Sequence, residues 1–229
     1  FAANHFAGIK NTLRPILGLA DFGHSVLGTK AMSSITKGMH NAFGIPLWTP
    51  AMPEAFKTNS QLSTPAPRQN KVVYFPSCIN QTMGLPKKSP VEQALVSKMI
   101  ALLQKGGYEV IFPKNMEKLC CGTIWESKGM LDIADRKTAE LEAALWEASK
   151  QGRYPVLCDQ SPCLHRMRET IRRMKLYEPA EFIYTFLRDK LVFTPIDRPV
   201  AVHITCSMRK MGLADTIIAL ARLCSTKVI

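Results

Sequence analysis

The segment Val72-Val73-Tyr74-Phe75-Pro76-Ser77-Cys78 sets the fold of this chain. Four consecutive β-branched and aromatic residues predict a short strand, Pro76 closes it, and a cysteine stands just beyond its carboxyl end. Glu109 to Phe112, Pro155 to Asp159 and Val200 to Thr205 are further strand candidates, and Lys227-Val228-Ile229 begins another. Helical stretches separate them. Ser89, Pro90 and Glu92 supply an N-cap, a first-turn proline and a capping-box partner for a helix that Gly106-Gly107 ends. Met130, Ile133, Ala134, Leu141, Leu145 and Ala148 recur at helical spacing. Ser161 and Pro162 cap and open a helix running to about Met174, with Cys163 in its first turn. Further helices are expected over Pro179 to Leu191 and Leu213 to Cys224. Strands alternating with helices predict an α/β fold, a parallel sheet with flanking helices built from βαβ units.

Upstream, Pro15, Pro46, Pro50 and Pro53 break a weak periodicity, so a mostly helical segment of short helices and loops is expected, ending in a linker over Ser60 to Pro67. Ile9 to Val26 is mildly amphipathic and basic at its start. That pattern fits packing against a neighbouring domain, with peripheral membrane contact as the alternative. Val72 to Gly84 and Val200 to Gly212 share a layout: a strand, then Cys78 or Cys206, then Met83-Gly84 or Met211-Gly212. The chain therefore reads as a helical segment over residues 1–70, one complete unit over 71–198, and the start of a truncated second copy over 199–229. It opens on Phe1 rather than methionine, so further sequence is expected ahead of it.

With 229 residues, 46% of them hydrophobic and 21% charged, the chain is long enough to bury one core. No apolar run approaches the roughly 18 to 20 residues of a membrane span, and no signal-peptide pattern opens the chain. A cytoplasmic location, with the inner face of the membrane as a variant, is the expectation. Thirty Lys and Arg against 18 Asp and Glu give a formal charge of +12, which suits an anionic partner. Nucleic acid is disfavoured, because no zinc-finger spacing, RNA-recognition aromatic motif or dense basic run accompanies the charge. Seven cysteines cannot all pair within the chain, and a domain of this size needs no staples, so reduced thiols and metal or redox chemistry are expected.

Four cysteines fall where a parallel sheet gathers its ligands, at or beyond the carboxyl ends of strands: Cys78, Cys158, Cys163 and Cys206. Cys120-Cys121-Gly122 lies on the loop after the second strand, where Gly122 would let the backbone approach a bulky ligand. Thiolates hold iron–sulfur clusters, and the helix dipole favours the thiolate of Cys163. Zinc is the competitor, yet its structural sites pair ligands about two to four residues apart, and adjacent cysteines strain to reach one small ion. A vicinal Cys120–Cys121 disulfide is a further alternative that needs unusual backbone geometry. Cys158 reads equally as an inert buried thiol, and Cys224, among Ile217, Ile218, Leu220 and Leu223, as a buried hydrophobe without a ligand role. His203 reads as a core histidine and His165 as an exposed one, either able to tune a site by hydrogen bonding. Arg166, Arg168, Arg172 and Arg173 read as a solvated basic helix face or a docking surface.

Cys78, Cys120-Cys121-Gly122, Cys158 and Cys163 together resemble one copy of the cysteine-rich CCG domain, usually found in tandem. It occurs in heterodisulfide reductase, in anaerobic glycerol-3-phosphate dehydrogenase and in the iron–sulfur component of glycolate oxidase. Asp159-Gln160-Ser161-Pro162-Cys163 and the proline-broken basic segment upstream are most similar to the C-terminal part of FAD-linked D-lactate dehydrogenases. The resemblance implies a 4Fe-4S type cluster held by Cys78, Cys120, Cys121 and Cys163, with Cys158 a further ligand position and Cys206 the first ligand of a second copy. The Cys158 to Cys163 spacing is wider than in the heterodisulfide reductase branch, which leaves Cys158 open. The resemblance also implies upstream flavin and ferredoxin-like domains, FAD in the parent protein, and a quinone or cytochrome acceptor for electrons from a 2-hydroxy acid such as D-lactate or glycolate. Thiol or disulfide redox chemistry of the heterodisulfide reductase kind and a zinc-stapled interaction domain are the alternatives.

Overall fold

A computed structural model describes residues 4–56, 68–86 and 89–229; the linker expected over 60–67 lies outside them. In chain order the elements are α1 (Phe6–Phe43), β1 (Pro53–Ala55), β2 (Asn70–Phe75), α2 (Cys78–Thr82), β3 (Met83–Pro86), α3 (Leu95–Lys105) and β4 (Tyr108–Ile111). There follow α4 (Thr123–Glu126), α5 (Leu131–Ala148), β5 (Val156–Cys158), α6 (Ser161–Thr170), β6 (Leu176–Tyr177), α7 (Pro179–Phe182), β7 (Ile196–Val200), α8 (Cys206–Lys210), α9 (Ala214–Cys224) and β8 (Ser225–Val228). Two compact units emerge, Phe1–Leu62 with Cys78–Lys98 and Ser63–Ser77 with Met99–Ile229.

In the first unit α1 spans 38 residues and breaks at Gly28, whose φ of 76° and ψ of 172° are not helical. The expected short helices are therefore replaced by two long ones. Pro15 sits inside the first of them, and the break falls on the glycine, which tolerates positive φ without a Cβ clash. Ile16, Leu19, Phe22 and Val26 are exposed along α1. β1 pairs antiparallel with β3. No helix among the described residues is long and apolar enough to cross a membrane.

The second unit holds a four-stranded sheet in the order β4-β2-β5-β6, with every pairing parallel. From β2 the chain steps outward to β4, then returns to the opposite side of β2 for β5 and β6, which is a doubly wound order with its reversal between β2 and β5. Buried strands of such a sheet read as unbroken apolar runs, and Val72, Val73, Tyr74 and Phe75 are all at most 1% exposed. Val73, Phe75, Val156 and Cys158 pack with Leu141 and Leu145 of α5 and Leu164 and Met167 of α6. On the other face Phe182 of α7 meets Tyr108 and Tyr177 edge-on. The sheet is thus covered by helices on both sides, the expected α/β architecture.

Asp159 joins the carboxyl ends of β2 and β5. Its buried carboxylate accepts from the Tyr74 hydroxyl at 2.7 Å and from the Ser77 N–H at 2.8 Å. Burial first, and then Asp159, push the Tyr74 phenol far above its ordinary value.

Four expectations about elements are corrected. The Ser89 hydroxyl accepts from Val91 N–H in a local turn rather than capping a helix, and α3 starts only at Leu95. The helix from Ser161 stops at Thr170, where Ile171 turns extended and goes into the core with Met174. The helix from Pro179 is one capped turn, continued by a π-turn over Ile183–Leu187, and β6 forms ahead of it without a sequence signal of its own. The strand placed at Val200 to Thr205 forms instead at Ile196–Val200, where the ladder to β8 runs; its mostly exposed residues give no core to draw the more apolar stretch in.

In the unfolded chain Tyr74 ionises above about pH 10, whereas the fold keeps it neutral. Stability is therefore full below that pH and falls as the pH rises above it. Urea unfolding between about pH 9 and pH 11 is expected to show a shallower loss of stability for Tyr74→Phe than for the natural chain; equal slopes would refute a neutral, buried Tyr74.

Candidate functional site

Three of the expected thiols come together in the second unit. Leu119-Cys120-Cys121 follows a 3-10 turn over Met116–Lys118, and Gly122 leads into α4. Cys120 is 1%, Cys121 4% and Cys163 9% exposed. The Cys121 thiol is in hydrogen-bond contact with those of Cys120 and Cys163, and its sulfur lies 3.2 Å from the Thr123 hydroxyl. Gly122 N–H donates to the Cys120 sulfur at 3.4 Å. The contacts with Cys120 and Cys163, and then with the Thr123 hydroxyl and N–H, hold the Cys121 thiol well below its usual range despite its burial.

The loop that carries the pair is fixed from behind. Thr138 of α5 donates its hydroxyl to Cys121 O at 2.8 Å, shared with Ala134 O at 2.9 Å. Gly122 has φ +91°, and a Cβ there would lie 2.5 Å from Ala134 O, 2.7 Å from Arg166 Nε and 2.8 Å from Thr138 Oγ1. The glycine is thus required by its left-handed backbone and by packing against α5 and α6, independently of the ligand approach expected from the sequence.

The remaining expected residues are placed as follows. Cys158 is fully buried in β5, its sulfur 4.0 Å from Gln160 O, within the core cluster. Cys206 is exposed at the start of α8 and lines a cleft of about 380 Å³ with Thr123, Pro162, His165 and Arg166. Hydroxyls tie α8 to α6, the Ser207 hydroxyl donating to that of Ser161 at 2.8 Å. Cys78 opens α2 in the first unit, directly after Ser77 in the chain. Cys78 and Cys206 each begin a five-residue helix, which echoes the expected repeat, although Cys206 stands several residues beyond its strand rather than at its end.

Three readings of single residues are overturned. Cys224 is exposed at the end of α9, because that helix has no buried residue. His203 is exposed and lies outside β7, so it is not a core histidine. Arg166 and Arg168 are not a solvated face: Arg166 is buried on Glu126 and Asp135, and Arg168 binds Leu176 O and Glu181. Arg172 and Arg173 lie past the end of α6. His165 is partly covered and lies 3.3 Å from Glu169.

The donor set is all sulfur, lies in an apolar setting, and is held by backbone and side-chain contacts that need no ligand to form. Soft thiolates of this kind suit iron–sulfur clusters or other thiophilic metals. Among the described residues no group of three His, Cys, Asp or Glu side chains is arranged around a single metal ion. Comparison with family models, with curated proteins and with solved structures finds no match.

Two measurements check this geometry. Gly122→Ala is expected to cost more than about 2 kcal/mol of stability, read by chemical denaturation; a loss within error of zero would contradict the packing described. In the reduced, metal-free chain, thiolate absorbance in the ultraviolet is expected to persist when the pH is lowered well below the ordinary thiol range of about 8.5, and to lose that low-pH step in Cys121→Ser. A single titration near the ordinary value would count against the Cys120–Cys121–Cys163 contacts.

Proposed function

We propose that this chain is the iron–sulfur electron-relay portion of a flavin-dependent oxidoreductase that oxidises a 2-hydroxy acid such as D-lactate or glycolate. The observation that carries the reading is the convergence of the Cys120, Cys121 and Cys163 thiols on the loop-and-helix edge where a parallel sheet places ligands. Those three residues fit a 4Fe-4S type cluster, and the sequence resemblance adds Cys78. When bound, such a cluster supplies one-electron transfer.

The chain's own residues bind and orient. Cys121 is held ready as a thiolate, since the contacts that lower its pKa outweigh its desolvation. Thr123 supports its sulfur, and Thr138 fixes its carbonyl. Leu119 and Leu164, 6% and 0% exposed, share one buried apolar cluster with Cys121 and Cys163. Oxidation of the hydroxy acid is assigned to the FAD-bearing part of the parent protein. Electrons would pass from there, through ferredoxin-like clusters, to a quinone or cytochrome. The exposed apolar residues of α1, Ile16, Leu19, Phe22 and Val26, support docking to those other parts.

Anaerobic reconstitution of the full chain with ferrous iron and sulfide tests the reading. Iron and sulfide are expected in near-equal amounts, with a reducible visible absorption that Cys120→Ser, Cys121→Ser or Cys163→Ser each diminishes. Uptake of zinc alone, or iron binding indifferent to all three substitutions, would overturn it.

A further inference from the structure

Arg166 stands on the second turn of α6, one turn beyond Cys163, and only 4% of its surface meets solvent. Each of its three guanidinium nitrogens has a partner. Nε donates to Thr138 Oγ1 at 3.2 Å, Nη2 donates to Asp135 Oδ1 at 2.6 Å, and Nη1 donates to Glu126. The planar fork thus ties α4 and α5 to the helix that bears Cys163. Through Thr138 it also reaches the Cys121 carbonyl, because the same hydroxyl that accepts from Arg166 donates to Cys121 O at 2.8 Å. A Cβ on Gly122 would lie 2.7 Å from Nε, so only a glycine leaves the guanidinium this room beside the loop.

Two carboxylates surround one guanidinium, so Arg166 offers no net positive charge to an anionic ligand. What remains is geometry. We infer that Arg166 is a positioning residue that sets the Cys121 thiol against the Cys163 thiol by linking α6 to the Cys-Cys-Gly loop through Thr138. The inference rests on the reading of these thiols as cluster ligands, yet the geometric link exists without the cluster. Glu126 and Asp135 are 39% and 67% exposed at their side chains, so loss of Arg166 leaves them able to hydrate. A folded variant is therefore attainable.

The experiment compares Arg166→Met, Arg166→Lys, Thr138→Val and Thr138→Ser with the natural chain. After anaerobic reconstitution, Arg166→Met and Thr138→Val are each expected to hold iron about tenfold more weakly against a chelator, with a changed electron paramagnetic resonance signal. Thr138→Ser keeps the hydroxyl and should match the natural chain. Arg166→Lys keeps the charge but loses the fork, and should not rescue. The double variant should lose no more than either single one, because both break one link. In the metal-free chain, mild oxidation with diamide followed by peptide mapping reads the Cys121–Cys163 proximity directly, and both disruptive variants should form that bridge several-fold more slowly. Natural iron retention and bridging rate in folded Arg166→Met, or additive losses in the double variant, would overturn the inference. If the natural chain takes up no iron and sulfide, the cluster reading fails while the bridging comparison still decides the role of Arg166.

Discussion

A buried carboxylate holds the working edge of the sheet together. Asp159 is 7% exposed, and a charge in that setting is tolerated only with strong donors around it. Tyr74, in β2, and the N–H of Ser77, two residues past its end, supply them, while Asp159 follows β5. The bond therefore closes the gap between the two strands at which the doubly wound order reverses. Everything proposed about the thiols depends on that edge keeping its shape, because α6 and Cys163 begin immediately after Asp159 and Ser77 immediately precedes Cys78.

A second layer of restraint surrounds the Cys-Cys-Gly loop. Its backbone is pinned by Thr138 and Gly122, its sulfurs by one another and by Thr123, and its supporting helices by Arg166. A low-pKa Cys121 beside two further buried thiols is a poor companion for water and chemically suited to thiophilic metals.

The long-range architecture was legible because its signals are strong and local. Val72 to Phe75 reads as a strand, Met130 to Ala148 keeps helical period for five turns, and Ser161-Pro162 puts Cys163 in a first helical turn. The misses share a cause: a competing contact that sequence does not display. Ser89 spent its hydroxyl on Val91, Ile171 left its helix to enter the core, and the strand near Val200 followed β8 instead of its own hydrophobicity. In the site, the cysteines announced themselves by type and spacing. Arg166 and Thr138 did not, since an arginine on a polar helix reads as solvated until its partners on α4 and α5 are seen, and one threonine in α5 has no periodic signature. Cys224 differs, because its apolar neighbours on α9 are only half-buried and that helix has no fully buried face to take the thiol in.

Crystals grown and frozen without oxygen, measured on both sides of the iron absorption edge, test the central claim most directly. An anomalous iron peak, resolvable into more than one iron, is expected against the sulfurs of Cys120, Cys121 and Cys163. Iron elsewhere, a lone zinc peak, or three free thiols in protein that holds iron in solution would contradict it.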